Sequence, residues 1–253
     1  MKRLVLEEMI WPEVEAALPE IKVAVIPVGS CEQHGPNGTF VVDTVRAYEM
    51  SKLLAERCGE KILVYPPVTY GYSAHHLPFP GSATLRINTL TAVLVDIALS
   101  VTQQGIDKVL FVNGHGGNNP SLMSAVQILK YEHKVSAFWA SCYTRNRKLY
   151  FPDLDMSFSG HACEVEMSQT MYLRPDIVRD EREKGIKQLS IFNDCDDFVP
   201  GTQGVWNWKN DMTLNGCQGD ARRATPEIGK AICEEALEYL TELVDKIISH
   251  QPT

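Results

Sequence analysis

The chain has 253 residues, 44% hydrophobic and 22% charged, with a formal net charge of -8. The acidic balance disfavours nucleic acid and anionic membranes as partners, and no apolar run reaches the ~18–20 residues of a spanning helix. This length and composition suit an α/β domain with a substantial core. Acidic residues among Met1–Glu8 stand where a signal peptide would carry its apolar region, so a cytoplasmic protein is expected. Seven cysteines include no Cys-x-x-Cys pair, which argues against a disulfide framework and a thiolate zinc knot.

In chain order, residues 9–18 suggest a short helix with Pro12 in its first turn. Val23–Val28 has the apolar continuity of a buried parallel strand. It runs into a Gly/Pro/Asn-rich loop, Gly29-Ser30-Cys31-Glu32-Gln33-His34-Gly35-Pro36-Asn37-Gly38, with Asp43 close behind. Open α/β sheets place their sites at the carboxyl ends of strands. Glu32, His34 and Asp43 are mixed O/N ligands of a type that suits Zn or Mn better than Ca. A polar surface loop is the alternative reading of this stretch alone.

Residues 44–57 carry a helical stripe, and Ile62–Tyr65 a second strand stopped by Pro66 and Pro67. Residues 70–82 are dense in punctuation and hold His75 and His76, which fits either a surface loop or a loop lining a site. A helix follows over 88–104, closed by Gly105. The strand Lys108–Val112 then leads into Asn113-Gly114-His115-Gly116-Gly117-Asn118 and a helix over 121–132. Val135–Ala140 is a further strand containing Trp139. Residues 145–159 read as irregular, and a helix runs from the His161-Ala162-Cys163-Glu164-Val165-Glu166 stretch to about Leu173. Residues 174–220 form a long polar segment before a last helix, Pro226–Ser249. Strand–helix alternation predicts an α/β fold, a three-layer α/β/α sandwich with a mostly parallel sheet. No repeat or linker divides the chain, so a single domain over 1–253 is expected.

The His115 turn, together with the two His-and-carboxylate stretches at Glu32–Asp43 and His161–Glu166, forms a constellation that each alone would signal weakly. With Phe79-Pro80-Gly81-Ser82 and the Gly219-Asp220 to Gly229 segment, these motifs resemble the creatininase (creatinine amidohydrolase) family across nearly the whole chain. The resemblance implies a dinuclear centre of Zn and/or Mn, with Fe also allowed, usually in a homo-hexamer. By motif, Glu32 and His115 would bind one ion, His34 the other, and Asp43 would bridge them. Creatinine-cleaving members carry a further glutamate where this chain has Gly117, so the missing carboxylate is assigned to Glu166, with Glu164 second. Neighbouring turns cannot aim both at one point.

Two divalent ions can hold a bridging water and lower its pKa towards ~7. The hydroxide would attack a carbonyl or amidine carbon, and His161, matching the family's catalytic histidine, would carry the proton to the leaving nitrogen. His75, the backbone at Gly116 and Gly117, and Trp139 are the expected substrate contacts. Residues 157–159 lack the tryptophan that creatinine-cleaving members place before this histidine, so the expected substrate is a small cyclic or linear amide or formamide, not creatinine. Two readings compete: a C–C hydrolase or isomerase of a cyclic keto compound on the same metals, and a non-catalytic metal-binding homologue. A Cys163 nucleophile would leave Glu32, His34 and Asp43 without a role.

Overall fold

The computed structural model describes residues 3–144, 146–188 and 207–251. Five strands are β1 (Leu4–Val5), β2 (Val23–Val28), β3 (Ile62–Val64), β4 (Lys108–Asn113) and β5 (Ser136–Ser141). They form one sheet in the order β1-β3-β2-β4-β5, and every pair is parallel. The expected strands are present and the sheet is wholly, not mostly, parallel. The addition is β1, two residues too short for any periodicity to register.

β2 is buried at every position because it lies at the middle of the sheet with helices on both faces. Its side chains alternate between two cores. Val23 and Val25 join Met50 and Leu54 of α2 (Val42–Cys58) and Leu237, Leu240 and Val244 of α7 (Pro226–Ser249). Ala24, Ile26 and Val28 face Leu90 and Leu94 of α3 (Ile87–Thr102) and Leu122 and Leu129 of α4 (Asn119–His133). Period-two alternation thus builds the three layers. Pro27 lies beyond the last β2–β3 pair, Val25 with Val64. Its missing N–H therefore removes no bond from that ladder.

The outer helices are α1 (Trp11–Ala17), the single turn α5 (Arg147–Tyr150) and α6 (Glu164–Leu173). Helix α7 starts on Thr225, whose hydroxyl accepts from Ile228 N at 3.2 Å, with Pro226 at its first position. Gly229 lets α7 cross α6 closely, since a Cβ there would overlap the Ser168 carbonyl. The segment expected to be irregular over 145–159 contains α5. The described parts of the long polar stretch pair with one another: Gly185 N donates to Gly219 O and Gln188 N to Met212 O, at 2.8 and 3.0 Å. Trp206 and Cys195 lie outside the described residues. Among the described residues no helix is long and apolar enough to cross a membrane.

Candidate metal centre

Sheet order determines where a site can form. From β2 the chain passes through α2 to β3 on one side, and from β4 through α4 to β5 on the other. The adjacent strands β2 and β4 therefore flank a topological switch point, where a crevice opens at their carboxyl ends. The loop after β2 delivers Glu32 and His34, the first turn of α2 Asp43, and the loop after β4 His115. His75 and His76 come from the loop after β3, and His161 and Glu166 from the entrance to α6. Gly114 allows the convergence, because a Cβ there would run into the backbone carbonyl of Asp43.

Asp43 faces two ways. Its Oδ1 is 3.5 Å from His34 Nε2, and its Oδ2 is 3.5 Å from His115 Nδ1. On the His115 side, Glu32 Oε2 lies 3.0 Å from His115 Nε2 and accepts from Ser73 Oγ at 2.5 Å. On the His34 side, Glu166 Oε2 lies 3.6 Å from His34 Nε2. His161 Nε2 donates to Gln33 O at 2.8 Å, which leaves its Nδ1 facing Glu32 Oε1 at 3.4 Å and Glu166 Oε2 at 4.0 Å. The next residue, Ala162, has φ 51°, a left-handed conformation costing about 1–3 kcal/mol without glycine. It is held by Asn37 Nδ2 on its carbonyl, 3.0 Å, and by its own N–H on Glu166 Oε2, 2.6 Å.

These residues fit divalent cations. Glu32, His34, Asp43, His115 and Glu166 are all buried, yet Glu32 Oε1, His34 Nε2 and Asp43 Oδ2 have no hydrogen-bond partner. Buried polar atoms left unpaired cost about 1–3 kcal/mol each, and here they converge on one another. Glu32, His34 and Asp43 hold ligand atoms within 4.8 Å of each other, as do His34, His161 and Glu166. Imidazole with carboxylate is a donor set for Zn, Mn or Fe.

Protons occupy this cluster when cations do not. Burial opposes charge on His34, but Asp43, then Glu166 and Glu32, outweigh it and raise the imidazole to about 9. Burial likewise opposes His115, and Glu32 then Asp43 raise it to about 9. Burial also works against the Asp43 carboxylate, yet His34 and His115 hold it well below its usual range. Raised histidine pKa values give the metal-free fold a stabilisation that is complete below about 6.5 and lost as pH climbs through about 9. Zinc needs the same nitrogens bare, so its advantage grows over that interval. The melting-temperature gap between zinc-loaded and chelated protein should widen from pH 6.5 to 9; a flat gap would remove His34 and His115 from the centre.

The creatininase family model, described as creatinine amidohydrolase, matches residues 7–244. The chain belongs to the creatininase family. A mycofactocin precursor peptide peptidase of Mycolicibacterium smegmatis is 35% identical over 162 residues, 62% of this chain and 60% of that protein. The chain therefore spans less than two thirds of that relative. A 3-dehydro-scyllo-inosose hydrolase of Thermotoga maritima is 31% identical over 97% of this chain and 84% of its own length. A solved manganese creatininase ("Creatininase Mn") superposes with a TM-score of 0.77 at 25% identity, covering 98% of this chain and all of that one.

Within this creatininase fold the expected residues divide. Glu164 points away from the cluster: its Oε2 accepts from Asp220 N at 2.7 Å and its Oε1 lies 4.0 Å from Arg223. Glu166 is the carboxylate of α6 that meets His34. At Gly117 a Cβ would strike both the His115 ring and the Tyr72 carbonyl, so the 70–73 loop fills the place of a side chain there. Gly117→Glu, the creatinine-cleaving pattern, should displace His115 and weaken zinc binding about 10–100-fold in a chelator competition, as orienting contacts of ligands commonly do. Unchanged affinity would show that the loop yields.

Gly116 is exposed in the 3-10 turn Gly116–Asn118 that precedes α4, and His75 stacks on His115 with centroids 5.7 Å apart. Trp139 is not brought to the cluster. It lies on β5 opposite Phe111 and packs against the apolar core, because inward positions on an edge strand are filled by the sheet's own packing. Cys163 is buried and burial pushes its thiol up to about 11, the opposite of an activated nucleophile.

Sequence reasoning missed two residues. Arg46 is buried, paired with Glu166, 2.9 Å from Gln169 Oε1 and 3.8 Å from Asp43 Oδ1. Its place three residues after Asp43 on a helix was the available signal. Trp208 meets His76 and His161 at 4.4 and 4.9 Å between centroids. Nothing in the polar stretch around it sets it apart from Trp206.

Proposed function

We propose that this creatininase-family chain is a dinuclear metal hydrolase that cleaves the C–N bond of a small cyclic or linear amide or formamide. The observation that carries the reading is Asp43, whose two oxygens face His34 and His115 separately. Glu32 and His115 would hold one ion and His34 and Glu166 the other, with Asp43 serving both. When bound, divalent ions supply Lewis acidity and acidify a water for attack on the carbonyl. Gly116 and Gly117, in the turn before α4, offer backbone N–H groups to the developing oxyanion. His161, its Nε2 proton engaged by Gln33, uses Nδ1 to collect the proton from the attacking water and deliver it to the departing nitrogen. Zinc or manganese is the native metal, the substrate is a small molecule, and the active form is a cytoplasmic homo-oligomer, a hexamer, of single-domain chains.

Gly117, and the absence of tryptophan at 157–159, argue against creatinine itself. The Thermotoga relative, aligned over 97% of this chain, favours a second reading, hydrolysis of a C–C bond in a cyclic keto compound. Product analysis separates the two, because only amide cleavage frees ammonia or an amine. Zinc-loaded protein incubated with a panel of lactams, formamides and cyclic ketones should release amine from at least one. Release of acid alone, without nitrogen, moves the assignment to the ketone. His161→Ala should keep its metal, measured by elemental analysis, and turn over about 10²–10⁴-fold more slowly. Loss of metal in that variant would make His161 a ligand.

A further inference from the structure

Gln33 stands between two proposed ligands and contacts two histidines. Its amide orientation is fixed by backbone on both sides: Oε1 accepts from Gly35 N at 2.7 Å, and Nε2 donates to Gly216 O at 3.1 Å. The approach to Gly216, at φ 83°, is so close that a Cβ there would overlap Oε1. The same Nε2 lies 2.9 Å from His76 Nδ1. An amide NH₂ only donates, so His76 Nδ1 accepts and the ring proton of the neutral imidazole sits on Nε2. Gln33 Nε2 also lies 3.2 Å from His161 Nε2, but its two protons are taken by Gly216 O and His76 Nδ1. The nearer main-chain carbonyl of Gln33, at 2.8 Å, only accepts, which puts the His161 proton on Nε2 as well.

The two rings present opposite faces to the carboxylates. His161 offers a bare Nδ1, whereas His76 aims an N–H at Glu32 Oε1, 3.5 Å away. His76 Nε2 and Glu32 Oε1 are both buried and both otherwise without a hydrogen-bond partner. A slight rotation of either side chain joins them. Glu32 Oε2 is already engaged by Ser73 and faces His115.

We infer that His76 is a positioning residue, locked by Gln33 as a donor that holds Glu32 Oε1 and so fixes the orientation in which this carboxylate meets its metal. The inference rests on the reading of Glu32 as a ligand. Gln33 thereby sets one histidine as donor and another as acceptor within a single centre.

Histidine-ring ¹⁵N NMR of the zinc-loaded protein tests this, together with zinc affinity by chelator competition. His76 and His161 should both carry their proton on Nε2. Gln33→Leu removes the side-chain clamp and keeps the carbonyl, so the His76 signals should change, whereas His161, whatever its shift, should keep its proton on Nε2. His76→Phe should weaken zinc binding about 10–100-fold. His76→Gln, which can place an amide N–H near the Nε2 position, should restore most of that loss. A proton on His76 Nδ1, a His76 spectrum indifferent to Gln33→Leu, or unchanged zinc affinity in His76→Phe overturns the role. A wild-type chain that binds no zinc overturns the metal centre and this role with it, whereas the wrong tautomer overturns this role alone.

Discussion

Asp43→Asn should abolish both metal sites at once. The substitution is nearly isosteric and leaves the first turn of α2 intact, but it removes the charge facing both His34 and His115. Elemental analysis of the reconstituted variant should fall from about two divalent ions per chain towards none. Hydrolysis should drop at least about 10³-fold, because Lewis-acid stabilisation is worth several kcal/mol at about 1.4 kcal/mol per factor of ten. In the metal-free state the same change removes a leading cause of the raised His34 pKa and its partner role at His115, so both should titrate lower. A variant that holds its full complement of metal would sink the bridging role and, with it, the dinuclear arrangement.

Arg46→Met should have the largest effect on stability. The guanidinium is buried against Glu166, donates to Gln169, and lies beside Asp43, so its removal leaves a carboxylate buried without its partner. Breaking a buried pair on one side costs about 3–5 kcal/mol. That loss should be full in chelated protein and smaller in zinc-loaded protein, where cations replace the missing positive charge. Urea unfolding with and without zinc measures both. Equal loss in the two states would mean that Glu166 does not share its charge with a metal. Arg46→Lys should recover little, since a point charge cannot reproduce the fork that reaches Glu166 and Gln169 together.

Much of the architecture is legible because strand and helix alternate with clear boundaries. β2 and β4 are continuous apolar runs stopped by glycine-rich turns, and the limits of α7 coincide with Pro226 and Ser249. The cluster is legible where its side chains follow directly on such strands, as Glu32, His34 and His115 do. What escapes depends on packing. Arg46 looks like an ordinary solvent-facing helix residue until α6 closes over it. Trp139 looks like a ligand platform until its strand is seen to pack against the core. His76 looks like one of two loop histidines, and only the folded chain separates it from His75, by burying it against Gln33 and Glu32. The choice of Glu166 over Glu164 similarly turns on which side of α6 faces α2, whereas α6 is buried on nearly every side and carries no stripe to read.

The order of these residues along the chain has a consequence during synthesis. Glu32, His34, Asp43 and His115 all precede β5, while Glu166 follows about fifty residues after His115. At about 5–20 residues per second, the ribosome completes the Glu32–Asp43–His115 half of the centre roughly 3–10 seconds before it makes the carboxylate of the other half. Under the proposed ligand set, a nascent chain can bind its first ion while the second position still lacks Glu166. Loading on that ligand set would follow the direction of translation, with the second position completed only once α6 docks on α2.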